Sequence, residues 1–259
     1  MAPEPADLLA PLRDDPSRSG IFCDFDGTLA DIVDDPERSR PVEGAVDVLA
    51  DLARTYARVG VVSGRPAAFL VDHLGPATGA GDLLLAGLYG LEVVRDGEVT
   101  PSSEAREWRP VVEEATERTR SAAPRGINVE AKGLTLVLHF RGAPDLAADA
   151  EALAEQEAAD TGLVVEAGRL SFELRPPLDT SKGTVVAEAA AGLAAACFLG
   201  DDTGDLTAFD ALDDLAADGA STVRVGVRSA EAPDALLRRA DLVVDGPTEV
   251  VALLRRLVP

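Results

Sequence analysis

Short apolar runs, each ending in a polar turn and followed by helical periodicity, mark both ends of this 259-residue chain and are missing from its middle. Gly20-Ile21-Phe22-Cys23 stops at Asp24-Phe25-Asp26-Gly27-Thr28. Arg58-Val59-Gly60-Val61-Val62 stops at Ser63-Gly64-Arg65-Pro66, and Leu83-Leu84-Leu85-Ala86 at Gly87-Leu88-Tyr89-Gly90. Unbroken apolar runs of this length read as strands buried on both faces. Between the first two, Val42, Val46, Leu49, Leu52 and Tyr56 recur at helical spacing, with Pro41 placed to open the helix. A helix over 69–74 follows the second. After Pro176-Pro177 the rhythm resumes. A helix over 182–191 leads to a strand at 196–199, which runs into Gly200-Asp201-Asp202. Strand-like runs at 223–227 and 242–244 precede a last helix over 248–257. Strands alternating with amphipathic helices predict an α/β fold around a parallel sheet.

The middle obeys another pattern. Residues 102–121 read as a helix, with Ser102 or Ser103 as its cap. Strand-like runs at 127–130 and 134–141 follow, split by Lys132-Gly133. Pro144 opens an alanine-rich acidic helix to about residue 160. Short strands at 163–166 and 170–174 are then joined through Ala167-Gly168-Arg169. Helix-strand-strand, twice over, predicts a small α+β unit with an antiparallel sheet. The expected division is 1–101 with 177–259 for the α/β domain and 102–176 for the insert.

Charge narrows the partners. Forty-six Asp and Glu against 24 Lys and Arg leave a formal charge of −22. That excludes nucleic-acid binding through a broad basic face and disfavours an anionic membrane surface. A hydrophobic fraction of 46% supports a core rather than disorder. No apolar run approaches the roughly 18 residues that span a bilayer. Residues 1–15 lack the basic start and apolar core of a secretory signal. The two cysteines, Cys23 and Cys197, lie inside apolar strand-like runs and make no disulfide framework. A cytoplasmic location is the expectation. The acid excess with scarce lysine also suits a salt-rich cytoplasm.

Polar residues follow several of the apolar runs, and in a parallel sheet ligands bind outside the carboxyl ends of strands. Asp24 and Asp26 lie two apart on an extended segment and point the same way. Two adjacent carboxylates repel unless a cation or a shared proton compensates. Together with Asp201 and Asp202 they suit Mg²⁺, a hard cation that takes few carboxylates and leaves room for phosphate oxygens. Capping or turn aspartates would give the same local pattern. Ser63 sits before a Pro-opened helix, where free amides favour an anion, and also reads as an ordinary cap. Lys182 stands at a helix start, where the macrodipole disfavours a cation, so a bound anion or the aspartates must compensate. It is one of only two lysines among the 24 basic residues; Lys132 is the other.

These residues resemble a known family. Asp24-Phe25-Asp26-Gly27-Thr28-Leu29 resembles the first motif of the haloacid dehalogenase superfamily of phosphotransferases. Ser63, Lys182 and Gly200-Asp201-Asp202 resemble its second, third and fourth motifs, in the right order. The resemblance implies a Rossmann-like parallel-sheet core of the haloacid dehalogenase type with an inserted α+β cap that selects substrate. Several further segments are similar to the trehalose-6-phosphate phosphatase family. They are Val62-Ser63-Gly64-Arg65, Gly87-Leu88-Tyr89-Gly90-Leu91-Glu92, Val129-Glu130-Ala131-Lys132-Gly133, His139-Phe140-Arg141 and Phe172-Glu173-Leu174-Arg175-Pro176. Tyr89 stands where that family usually has His, and Gly204 and Leu206 replace a usual Thr and Glu. Asp201, Asp202 and Asp205 remain in place.

The resemblance implies Mg²⁺-dependent hydrolysis of trehalose 6-phosphate through an aspartyl-phosphate. Asp24 would be the nucleophile and Asp26 the general acid and base, with Ser63 and Lys182 holding phosphoryl oxygens. The metal would fall to Asp24, the main-chain carbonyl of Asp26, and Asp201, with Asp202 and Asp205 beside them. Gly64, Arg65, Glu130, Lys132 and Glu173 would bind substrate. Glu130 and Lys132 equally suit an exposed cross-strand or turn pair, and His139 and Arg141 read as structural. A trehalose-6-phosphate synthase is the implied functional partner. Two other readings fit the same core: a related phosphatase acting on sucrose phosphate or a glycosyl-phosphoglycerate, and a non-enzymatic sugar-phosphate sensor. No Gly-x-x-x-x-Gly-Lys-Ser/Thr loop is present to support a nucleotide-driven kinase.

Overall fold

The computed structural model describes residues 8–33, 36–79, 81–95, 97–168, 170–229 and 232–259. The chain divides into two compact units, Met1–Thr100 with Thr180–Pro259, and Pro101–Asp179. Among the described residues no helix is long and apolar enough to cross a membrane.

The first unit opens with α1 (Ala10–Asp14), β1 (Ser19–Cys23) and α2 (Ala45–Thr55). It continues with β2 (Arg58–Val62), α3 (Ala67–Thr78), β3 (Leu83–Gly87), β4 (Glu92–Arg95) and β5 (Glu98–Pro101). The second unit is α4 (Ser103–Arg106), α5 (Arg109–Ala122), β6 (Asn128–Ala131), β7 (Leu136–His139), α6 (Ala147–Thr161), β8 (Val164–Gly168) and β9 (Ser171–Arg175). The chain then returns to the first unit through α7 (Lys182–Ala189), β10 (Ala195–Gly200) and α8 (Leu206–Ala217). It ends with β11 (Ser221–Arg228), α9 (Asp234–Arg239), β12 (Leu242–Asp245) and α10 (Gly246–Arg255).

The large sheet has the order β12-β11-β10-β1-β2-β3-β4-β5. Strands β12 through β3 are parallel, and β4 turns back antiparallel on β3. Its central strands are apolar throughout because both faces are covered. Ile21 and Cys23 belong to one core with Leu49, Leu70 and Leu254, whereas Phe22 belongs to the other with Val186, Phe209 and Leu212. Register sets Cys23 beside both Val61 and Leu199, so Asp24, Ser63 and Asp201 leave the sheet along one edge. The strand order reverses between β1 and β10, the place where open α/β sheets form a crevice.

In the second unit the sheet order is β6-β7-β9-β8, all antiparallel. Leu136, Leu138 and Leu174 point into a core with Val112 and Ala115 of α5 and Ala150 and Ala154 of α6.

Two expected helices begin or break elsewhere. Pro41 does not open α2. It forms a bridge with Ala30, Val42 N–H donates to Leu29 O at 2.9 Å, and the helix starts after Gly44 in the left-handed region at φ 82°. The expected helix over 102–121 is two helices. Pro110 has no N–H to bond back to residue 106, and its ring crowds that carbonyl. Ser102 caps α4, accepting from Ala105 N–H at 3.1 Å. Arg169 of the expected turn between β8 and β9 lies outside the described residues.

Candidate active site

Asp24 follows β1 directly, and its N–H donates to Leu199 O at 2.9 Å, which carries the β1–β10 pairing one residue beyond the strand. Its side chain is 5% exposed and takes a hydrogen bond from Lys182 Nζ at 2.8 Å. Lys182 begins α7 under a capping box in which Ser181 and Thr184 satisfy each other's backbone N–H. The ammonium is buried. It also reaches Asp205 Oδ1 at 2.7 Å and Asp202 Oδ1 at 3.4 Å. The carboxylates therefore supply the compensation that a cation at a helix start requires.

Asp205 braces the acidic turn after β10. Its Oδ2 accepts from Asp201 N–H at 2.8 Å and from Asp202 N–H at 2.9 Å. A Cβ at Gly200 would lie 2.3 Å from the Asp205 carboxyl carbon, so only glycine allows this fold-back. Gly27 plays the same part for Asp201: φ is +80°, and a Cβ there would stand 2.2 Å from the carboxylate.

Electrostatically the cluster has too many carboxylates for its single ammonium. Burial would discharge Lys182, but Asp205, Asp24 and Asp202 hold its pKa well above the usual value. Burial, only partly offset by Lys182, raises Asp24 well above the carboxylate range, and the charges of Asp205, Asp202 and Asp201 add to it. Asp201 is pushed up to about 6 by burial and by Asp202, and Asp205 up to about 7 by burial against the pull of Lys182. Asp202 is also penalised by burial, yet Lys182 and the bonds from Asp205 hold it below its ordinary value.

Carboxylate oxygens of Asp24, Asp201 and Asp205 lie within 4.8 Å of one another. Asp201 Oδ1 is buried without a hydrogen-bond partner among the described residues. An orphaned acceptor among buried carboxylates fits a hard, oxygen-loving divalent cation. Asp24 and Asp201 are the donors with capacity for it, since both Asp205 oxygens already accept protein hydrogen bonds.

The Asp26 carboxylate is not in that cluster. The Arg65 guanidinium grips it as a fork, Nε to Oδ2 at 2.7 Å and Nη2 to Oδ1 at 2.8 Å, and Ser39 Oγ donates to Oδ1 at 2.9 Å. The two aspartates of the first turn thus face different cations. Arg65 also lies 4.6 Å over the Phe69 ring. Ser63 Oγ accepts from Arg65 N–H at 3.2 Å, a turn-capping bond. The Tyr89 ring lies over Gly64, where any Cβ would stand 2.6 Å from the phenol oxygen.

In the second unit, Glu130 Oε2 accepts from His139 Nε2 at 2.7 Å, and Glu173 Oε1 accepts from Thr135 Oγ1 at 2.6 Å. Lys132 is half-buried, in a turn closed by its N–H bonding to Thr135 O at 2.9 Å.

Three contributors escaped the sequence reading. Ser229 Oγ donates to Asp201 Oδ2 at 3.0 Å. It follows β11, so the strand-end rule that singled out Asp201 also covered it. Glu92 Oε2 accepts from Ala67 N–H at 3.0 Å, capping α3 from β4. Ser39 comes from a loop with no pattern to announce it.

A profile of the trehalose-phosphatase family matches residues 22–239. A trehalose-phosphate phosphatase from Mycolicibacterium paratuberculosis is 36% identical over 203 residues, covering 74% of this chain and 51% of that protein. One from Mycobacterium marinum is 32% identical over 251 residues, covering 93% and 61%. The chain therefore spans only part of the length of these curated relatives. Among solved structures, a trehalose-6-phosphate phosphatase related protein superimposes with a TM-score of 0.75 at 25% identity, over 92% of this chain and 96% of that one. The C-terminal domain of Candida albicans trehalose-6-phosphate phosphatase shares the fold, with a TM-score of 0.73 at 24% identity over 99% and 97%. With a profile match across most of its length and curated relatives 32–36% identical to it, the chain belongs to the trehalose-phosphatase family.

Proposed function

We propose that the chain hydrolyses trehalose 6-phosphate to trehalose and phosphate, with Mg²⁺ as cofactor and Asp24 as nucleophile. The observation that carries this reading is the buried Asp24 carboxylate beside the Lys182 ammonium, within a cluster that includes Asp201 and Asp205. Residues 1–101 and 177–259 would form the catalytic core and 102–176 the substrate-reading cap.

Asp24 attacks phosphorus as the bond to the sugar oxygen breaks. Asp26, once out of the Arg65 fork and protonated, gives that proton to the departing sugar oxygen. Asp26 then takes a proton from water, whose oxygen displaces Asp24 from the aspartyl-phosphate and releases phosphate. Lys182 and Ser63 hold the phosphoryl oxygens, so catalysis is largely positioning and charge. Bound by Asp24, Asp201 and the main-chain carbonyl of Asp26, Mg²⁺ would supply the positive charge that lets an anionic nucleophile approach an anionic phosphate. Arg65 holds Asp26 before the reaction, and Glu130, Lys132 and Glu173 accept and donate to sugar hydroxyls. A trehalose-6-phosphate synthase would furnish the substrate.

Phosphate release from trehalose 6-phosphate, sucrose phosphate, glucose 6-phosphate and mannose 6-phosphate, in Mg²⁺ and in EDTA, tests the proposal. The expected result is preference for trehalose 6-phosphate, abolished by EDTA. Asp24→Asn should fold as the wild type and lose nearly all turnover; full activity in that variant would sink the nucleophile assignment. Binding without release in the wild type would favour a sensor.

A further inference from the structure

On the sheet of the second unit, register sets Glu130, Val137, Glu173 and Glu166 in one row across β6, β7, β9 and β8. Residues two apart on a strand share a face. His139 is therefore on the same side as Glu130, and Arg175 on the same side as Glu173. Three glutamates on this face are each tied to a neighbour. Glu130 is held by His139 at 2.7 Å, Glu173 by Thr135 at 2.6 Å, and Glu166 by Arg175 Nη1 at 2.9 Å. In the first and third pairs the partner is not the residue directly opposite but the diagonal one, which long side chains reach by leaning along the sheet.

The geometry points to His139 and Thr135 as positioning residues that fix Glu130 and Glu173 for a neutral polyol. The inference rests on the sugar-reading role proposed for those two glutamates. A carboxylate accepts about four hydrogen bonds, so the bond from His139 or Thr135 fixes its direction without by itself exhausting its capacity for sugar hydroxyls. A glutamate otherwise loses its rotamer freedom at the moment of binding, and here that loss is already met in the folded chain. Thr135 is suited to the task because it is itself buried, at 1% exposure.

Steady-state kinetics of the full chain with trehalose 6-phosphate and p-nitrophenyl phosphate test this. His139→Ala and Thr135→Val should each raise KM for trehalose 6-phosphate roughly tenfold while kcat moves little, the pattern of a weakened bond to a charged acceptor used in binding. Preference for the sugar phosphate over p-nitrophenyl phosphate should fall by the same factor. His139→Gln and Thr135→Ser keep a donor in place and should recover most of the loss. Glu130→Gln and Glu173→Gln set the benchmark. If they raise KM and the His139 and Thr135 variants do not, positioning is wrong and the sugar reading stands. If the glutamate variants leave KM alone, both fall together. Equal losses on the two phosphates with a lowered Tm would mean a purely structural role and overturn the inference.

Discussion

One buried ammonium faces three carboxylates, and Lys182 is the residue on which that balance turns. Removing one partner of a buried ion pair leaves charge uncompensated and costs about 3 kcal/mol or more. Without the lysine, Asp24 and Asp205 would have to stay protonated to remain buried. Their folded-state pKa values are already raised and would rise further, so the stability they contribute is lost as pH climbs above the unfolded value. Lys182→Met should therefore destabilise the chain more at pH 8 than at pH 5. Urea midpoints at the two pH values check this, and an equal loss at both would show that the carboxylates do not feel the ammonium. The importance of Lys182 was visible in the sequence, because a cation at a helix start after Asp179-Thr180-Ser181 needs a reason. The division of labour between Asp24 and Asp26 came only from the family resemblance, not from the spacing of the residues. Two carboxylates two apart read as one site, and the cations that part them, Lys182 and Arg65, come from distant turns. Gly64 and Ser63 were also legible only as candidates, since their contacts with Tyr89 and Arg65 depend on a turn whose geometry the sequence does not announce.

That turn belongs to the scale of elements. The segment from β3 to β4 clasps the start of α3. Ser63 N–H donates to Ala86 O, Leu88 N–H to Arg65 O and Tyr89 N–H to Ser63 O, all between 2.9 and 3.0 Å, and Glu92 caps Ala67. Leu88 and Tyr89 adopt φ of 49° and 57°, a left-handed pair that non-glycine residues rarely form without such support. Glu92 is buried at 6% exposure. Glu92→Ala should cost about 1–2 kcal/mol through the lost cap. It should also lower kcat, because the turn that bears Ser63 and Arg65 loses a brace. Glu92→Gln keeps an acceptor oxygen and should restore most of the stability. A wild-type Tm in the alanine variant would remove the clasp from the account. The parallel strands were readable because burial on both faces makes them continuously apolar. β4 and β5 escaped notice: Glu92-Val93-Val94-Arg95 and Glu98-Val99-Thr100-Pro101 are short and edged with charge. α8 was hidden as well, because Asp210, Asp213 and Asp214 break up its apolar spacing. Two of those aspartates are partners of Arg239 and Arg224, which lie elsewhere in the chain.

Over the whole molecule, a charge of −22 makes pH and cations the natural probes of stability. Exposed arginine–aspartate pairs contribute little each, so the buried cluster should dominate the specific response. Burial raises Asp201 to about 6 and Asp205 to about 7. The folded chain thus binds these protons more tightly than the unfolded one. Their contribution to stability is fullest below the unfolded carboxylate value and is lost as pH rises from about 4 to about 7. A cation that takes deprotonated oxygens works in the opposite sense. It competes with protons, and at 100 times its Kd it stabilises by about 2.7 kcal/mol. The difference in Tm between Mg²⁺ and EDTA should therefore widen from pH 5 to pH 8. Asp201→Asn, which removes the charge beside the orphaned oxygen, should close most of it. KCl at matched ionic strength screens the general repulsion without choosing a site, so it should raise Tm similarly in wild type and variant. A difference of equal size at both pH values, or one that KCl reproduces, would mean that the carboxylates of Asp24 and Asp201 are not where the cation binds.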